Sequence, residues 1–359
     1  MRPAKLFPAP FRVPKVGTIR ILRETFVGGS QHDKDLLYKK LPANYHFTGF
    51  TIVGSPHEAD FIIGQCPVRL LNEDTKEYIE RVKQFAKEAG KPLILFLGRD
   101  DSHTIHIKGV HTLFCNSIYG RTKQRNELFF PPYVQDLGEE KPFVPRKKGT
   151  RPVVAFCGYA GFPTLRTKVA YYVKNALYDL KAILMRDSYP RLYKRGIYWR
   201  KRSMDLLARD SRIETRFIVR NSFSGNSKLV SGNPEDVHRE YVDNMFNADF
   251  ALAPKGDPNN SSRFYEALAL GRIPILIDTD MTLPLQKVID YDSFILRIPY
   301  TNISEIADRV VAFYNSMTDE EFAAKQRAAR EAFEKYLRYD TFFNTVFPLL
   351  LERKPETLN

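Results

Sequence analysis

The stretch Phe250 to Pro284, FALAPKGDPNNSSRFYEALALGRIPILIDTDMTLP, concentrates the residue types that hold a phosphate. An apolar strand ends at Ala253, a loop begins with Pro254, Lys255, Gly256, Asp257 and Pro258, and Ser261 and Ser262 are placed to cap a helix that runs to Leu270. Gly271 stops that helix. A helix N-terminus presents unpaired N–H groups and the positive end of the peptide dipole, so it draws an anion. Lys255, Gly256, Ser261, Ser262 and Arg263 gather there, and the planar fork of Arg263 can grip a diphosphate bidentately. Glu266, one turn on, shares that helix face and can accept both hydroxyls of a ribose. The alternative is a surface i, i+3 pair over two serine caps, a common and weak arrangement.

Two further elements read in the same way. The strand Pro152 to Phe156 runs into Cys157 and Gly158-Tyr159-Ala160-Gly161, and a helix is entered near Arg166. Gly158 lets backbone approach a ligand closely and Arg166 adds charge, although a plain strand-to-helix turn has the same composition. Arg220 follows the expected strand Thr215 to Val219 in the same relation, and can equally be solvated. The triplet Asp278-Thr279-Asp280 has the spacing of a divalent-metal clamp, but such triplets are frequent by chance, and no metal is expected. Tyr189 to Arg202, YPRLYKRGIYWRKR, mixes cations and aromatic rings without an acid. It can stack bases, meet an anionic glycan, lie on a phospholipid surface, or simply bury its rings.

Strands must position these groups. Thr18 to Leu22, Ala59 to Ile63 and Pro92 to Leu97 are brief aliphatic runs bounded by turn residues, and Glu73 to Ala89 carries the helical apolar period between the last two. Asp136 to Arg151 loses all periodicity and reads as a linker. Beyond it the same grammar restarts, with strands at Pro152 to Phe156, Thr215 to Val219, Phe250 to Ala253 and Ile273 to Ile277. Helices are expected at Arg166 to Leu180, Glu235 to Phe246, Ser262 to Leu270, Ile303 to Tyr314 and, from a Thr318/Glu321 capping box, Glu320 to Leu337. The fold class is therefore α/β, with two Rossmann-like domains whose ligands lie beyond the carboxyl ends of the strands, in a cleft where the domains face each other. Residues 1–135 form the first domain, 136–151 the linker, 152–338 the second, and 339–359 a closing helix able to pack back on the first.

Composition narrows the class of protein. The chain has 359 residues and a formal charge of +13, which favours anionic partners without choosing among them. Cys66, Cys115 and Cys157 lie far apart with no zinc or disulfide spacing. The N-terminal segment carries proline and charge where a secretory leader needs an apolar run, and the reading is of a cytoplasmic protein, peripheral at most to a membrane. Sequons at Asn259 and Asn260 fall on the phosphate loop, where a glycan would block it, in keeping with that setting.

The order of Pro254 and Gly256, Ser261 with Arg263, Glu266 with Ala267, Gly271, Ile273 with Pro274, and Leu283 with Pro284 resembles the exostosin-like glycosyltransferase family. The resemblance extends from about Gly49 to Lys354, through Cys115-Asn116, Phe130-Pro131, the strand from Arg151 to Gly158 and the closing segment Asp340 to Arg353. The chain departs from the family pattern at Arg272, where a Cys is common, and at Arg99-Asp100-Asp101, where a His-Asp-Trp triplet is common; many relatives are also membrane-anchored. The resemblance implies a GT-B architecture with the acceptor held mainly by the first domain and the nucleotide sugar mainly by the second, and transfer with inversion. A general base and positive groups for the departing diphosphate are then required. Asp101 best matches the family's Asp, His103 has the more natural pKa, and His32 with Asp33 is a third choice without a motif. Lys255, Gly256, Ser261, Ser262, Arg263, Glu266, Gly158, Arg166 and Arg220 form the donor set, for a UDP-linked sugar moved without a metal cofactor to an oligosaccharide, polysaccharide or lipid-linked glycan. A glycan-binding protein with a decayed site and, last, a nucleic-acid-binding protein are the rival readings.

Overall fold

The computed structural model describes residues 1–9, 45–66, 73–97, 106–162, 164–221 and 233–358. The expected strand Thr18 to Leu22, the pair His32 and Asp33, and Asp101 and His103 lie outside the described residues. The chain divides into two units: Met1–Tyr133 with Met281–Ile289 and Lys335–Asn359, and Val134–Asp280 with Asp290–Glu334. No helix among the described residues is long and apolar enough to cross a membrane.

In the first unit β1 (Ala4–Pro8), β2 (Phe50–Ile52), β3 (Phe61–Cys66), β4 (Leu93–Leu97), β5 (Thr112–Cys115) and β6 (Glu127–Phe129) form a parallel sheet in the order β2-β1-β3-β4-β5-β6. The run LILFL of β4 is buried throughout, as a strand covered on both faces requires. On one face α1 (Glu73–Glu88) approaches so closely that a Cβ on Gly64 would sit 2.9 Å from both Val82 and Leu95. On the other, Phe343 of α8 (Tyr339–Glu352) meets Phe96 and Phe114, each with ring centroids 6.0 Å apart, and Phe347 meets Phe50 at 5.1 Å. Leu95 and Phe96 are neighbours in one strand and so serve opposite faces.

In the second unit β7 (Val153–Tyr159), β8 (Glu214–Arg220), β9 (Phe250–Leu252), β10 (Ile273–Asp278) and β11 (Leu296–Pro299) pair in parallel in the order β11-β10-β9-β7-β8. Between them run α2 (Leu165–Met185), α3 (Gly196–Ala208), α4 (Pro234–Phe246), α5 (Ser262–Ala269), α6 (Ile306–Asn315) and α7 (Asp319–Ala332). The sheet is covered on both faces. Phe250 and Leu252 pack with Trp199 and Met204 of α3, Val310 of α6 and Phe322 of α7, while Ala251 between them packs with Val242 of α4 and Ala267 of α5. This is the doubly wound α/β class expected, built from aliphatic strand runs too short and too β-branched for helix.

Local rules hold at the carboxyl end of α5 and at the start of α7. Gly271 takes φ +62, the left-handed value that ends a helix, and Thr318 and Glu321 make the reciprocal capping box. Arg272 is 1% exposed, and its guanidinium donates to the carbonyls of Phe246 (2.9 Å), Leu270 (3.2 Å), Gly271 (3.3 Å) and Val144 (3.3 Å). Burial pushes its pKa down to about 10, so the cation is held by carbonyls at the negative end of α5. The segment from Asp136 to Arg151 is irregular, as its composition indicates, but firmly tethered within the second unit. Arg146 pairs with buried Asp249 at 2.9 Å, and Asp136 pairs with Arg330.

Candidate functional site

With β7 as the first strand of its unit, the spatial order places β8 on one side of it and β9 on the other, so the winding reverses between β7 and β9. The crevice beyond the carboxyl ends of those two strands is where open α/β sheets bind ligands. It is formed here by Gly158 and Tyr159 at the end of β7 and by Pro254 to Ser261, which lead from β9 into α5.

Two guanidinium groups converge on the end of β7. Arg263, in the first turn of α5, donates its Nη2 to the Cys157 carbonyl at 2.6 Å and lies over the Phe156 ring, 4.2 Å from its centre. Arg200 of α3 donates its Nη1 to the Tyr159 carbonyl at 2.8 Å. The Nε of each is buried and makes no hydrogen bond. Neither is ion-paired among the described residues. Burial first, and the charge of Arg263 second, pull the pKa of Arg200 down to about 10, so Arg200 remains a cation at neutral pH. Gly158 takes φ +153, and a Cβ there would lie 2.7 Å from Arg263 Nη2. Only glycine leaves this guanidinium its place against the strand end.

Glu266 lies on the same side of α5 and accepts a hydrogen bond from the Tyr241 hydroxyl of α4. Burial raises its carboxyl pKa, against the lowering effects of Tyr241 and Arg263. Ser261 occupies the N-cap position of α5 with extended backbone, but its side chain makes no capping bond, contrary to the expected serine cap. The amide end of α5 is therefore uncapped, with Ser262 exposed beside it.

The other expected donor residues are placed less uniformly. Lys255 is 1% exposed and donates to the Leu192 carbonyl at 2.7 Å, and burial drops its pKa to about 7 against the pull of Asp257. Gly256 donates its N–H to the Asn260 carbonyl at 2.7 Å, closing the loop. Arg220 pairs with Glu240, and Arg166 stands exposed in the first turn of α2. The structure thus brings Gly158, Ser261, Ser262, Arg263 and Glu266 together and leaves Arg166 apart. Arg200 and Tyr241 were missed by the sequence reading. Arg200 lay in the basic and aromatic run Tyr189 to Arg202, and folding distributes that run: Trp199 is buried, Lys194 and Arg191 pair with Asp179 at 2.8 and 3.0 Å, and Arg195 pairs with Asp257 at 2.5 Å.

The carboxylates of the Asp278-Thr279-Asp280 triplet do not form a clamp among the described residues, where no group of three metal-ligating side chains occurs. Asp278 pairs with Arg297 at 3.1 Å, and Thr279 is buried, its hydroxyl donating to Asn259 at 2.7 Å.

Comparison with known proteins places this same region. Residues 200–313, from Arg200 through Arg263 and Glu266 to α6, match the Exostosin GT47 domain. The Exostosin-1 homolog of Caenorhabditis elegans is 27% identical over 106 residues, 30% of this chain, and the match spans about a quarter (27%) of that relative's length. Among solved structures the chain is similar to TarM (TM-score 0.35, 11% identity, 79% of this chain and 53% of that one) and to the GtfA/B complex (TM-score 0.40, 10% identity, 82% and 57%). It is also similar to an alpha-glucosyltransferase solved with UDP-glucose and DNA containing an abasic site (TM-score 0.37, 9% identity, 82% and 81%). The matched stretch, residues 200–313, contains the ordered motif from Pro254 to Pro284 and is similar to the exostosin-like glycosyltransferase family.

Proposed function

We propose that this protein transfers a sugar from a UDP-linked donor to a hydroxyl of an oligosaccharide or polysaccharide, with inversion at the anomeric carbon and without a divalent metal. The observation that carries the reading is the pair of half-buried guanidinium groups, Arg200 and Arg263, each bonded to a strand-end carbonyl and not ion-paired among the described residues, at the winding reversal of the second sheet. Two unneutralised cations in a partly buried crevice are costly without an anion to meet them. A nucleoside diphosphate supplies that charge, and the uncapped amide end of α5 adds donors to it.

The chemistry follows from where charge develops. A base takes the proton of the acceptor hydroxyl, and that oxygen forms its bond to the anomeric carbon. The bond to the diphosphate breaks on the opposite face, and its electron pair passes to the leaving phosphate oxygen. Arg200 and Arg263, fixed by the strand-end carbonyls, stabilise that oxygen as its charge grows. Glu266, oriented by Tyr241, accepts ribose hydroxyls. Asp101 or His103 serves as the base. Lys255 holds the loop beneath the site through the Leu192 carbonyl.

The test is a thermal-shift series with UDP, GDP, CMP and ADP, with and without EDTA, on the wild type and Arg263→Ala. A nucleotide at a hundred times its dissociation constant stabilises by about 2.7 kcal/mol. Stabilisation by UDP alone that survives EDTA and vanishes in the variant supports the reading. No response to any nucleotide overturns it in favour of a glycan-binding protein, and a response abolished by EDTA overturns the metal-free form.

A further inference from the structure

Among the described residues the largest run of exposed apolar side chains lies on α2. Leu165, Val169, Tyr172, Leu180, Ile183 and Leu184 all stand more than half exposed, Leu165 and Leu184 at 75%. Their spacing puts them on one side of a helix of 21 residues, a face about 30 Å long at 1.5 Å per residue. Val173 and Leu177, also exposed, widen it well beyond the two-position seam of a coiled coil. The line of α2 that is buried carries Asn175 and Ala182, most of the way round the helix from this face, and α2 packs by that inner side on Tyr189–Tyr193. An apolar face of this size is not tolerated on a soluble surface without a use.

Charge decides what fits it. Lys174 and Lys181 border the face on one side, Lys168 borders it on the other, and Arg166 lies among its first residues. The single acid of α2, Asp179, is engaged by Lys194 and Arg191 and so neutralises none of these. A second copy of the same helix would bring lysine borders together with no acid between them. An apolar stripe edged by cations and directed outward has the form of a helix lying in a bilayer interface.

We propose that α2 docks this protein on an anionic membrane, seating its outer apolar face at the acyl boundary with Lys168, Lys174 and Lys181 among the headgroups. The inference does not depend on the proposed transfer chemistry. The test is sedimentation with vesicles of phosphatidylcholine alone and with about a third phosphatidylserine. Wild-type protein pellets with the anionic vesicles only. Lys174→Glu with Lys181→Glu weakens that binding by about thirtyfold or more, from a factor of about five per lysine. Leu180→Asp with Leu184→Asp, at exposed positions, abolishes it while leaving the melting temperature unchanged. Failure to pellet with either vesicle, or equal binding to both, overturns the proposal. So does a dimer in light scattering that stays in the supernatant and is split by the Leu180→Asp, Leu184→Asp pair, because a second copy then covers the face.

Discussion

Replacing Arg200 by methionine separates a binding role from a structural one. In the fold burial pulls the pKa of this guanidinium down to about 10, well below the ordinary arginine value. At about 1.4 kcal/mol per pKa unit, its charged form is disfavoured by a few kcal/mol relative to the unfolded chain, through burial and then the charge of Arg263. The charge-assisted bond to the Tyr159 carbonyl returns about 1.5–3 kcal/mol, so the two nearly cancel. Methionine keeps the apolar stem, removes both contributions and leaves one carbonyl to be satisfied. The ligand-free variant is therefore expected to unfold within about 1 kcal/mol of the wild type in urea. Nucleotide binding behaves differently, because a guanidinium–phosphate contact worth about 1.5–3 kcal/mol has no replacement, which weakens UDP by about 10- to 150-fold. At a UDP concentration a hundred times the wild-type dissociation constant, a thirtyfold loss reduces the stabilisation from about 2.7 to about 0.9 kcal/mol. Isothermal titration and thermal shift read the two quantities on one sample. A variant that melts several degrees lower without ligand yet keeps the full UDP response would refute the reasoning and make Arg200 a prop for β7.

Gly158→Ala places a Cβ 2.7 Å from Arg263 Nη2 at a φ that L-residues rarely adopt, so it should displace that guanidinium, destabilise the fold by about 1–3 kcal/mol and abolish UDP binding; calorimetry of the purified variant checks both. Lys255 titrates near 7 in the fold against 10.5 unfolded, so between those values the unfolded chain binds more protons and stability rises with pH, by up to about 1.4 kcal/mol per unit. Urea unfolding at about pH 7 and pH 9 should show that rise in the wild type and lose it in Lys255→Met. Asp101→Asn or His103→Gln should lower kcat by about a hundredfold or more while UDP affinity is retained, and whichever variant does so identifies the base. Asp278→Asn loses one partner of Arg297 and should leave turnover and EDTA insensitivity unchanged, as steady-state assays will show.

The loop leading from β9 into α5 was legible in the sequence because its signals are local. An aliphatic strand, a glycine loop, serines at a helix entry and a glycine at its exit depend on backbone preferences within a few residues, and β9, α5, Gly271 and β10 fall where those preferences put them. The capping box at Thr318 and the amphipathic period of α1 are of the same kind. The short strands β1, β2, β5, β6 and β11 went unread. Runs such as AKLFP or TLFC are too brief to show a period, and their state is fixed by neighbours in the sheet. The same reason explains Arg200. Nothing within ten residues distinguishes it from Arg195 or Lys194, both of which fold into ion pairs. It belongs to the site because α3 carries it to the Tyr159 carbonyl, beside a guanidinium 63 positions further along the chain. The sequence by itself determined the class of each unit and one edge of the candidate site, since periodicity and capping are short-range. Strand order, the winding reversal between β7 and β9, and the pairing of Arg200 with Arg263 were decided only by the tertiary structure, because charges and carbonyls meet through space and not along the chain.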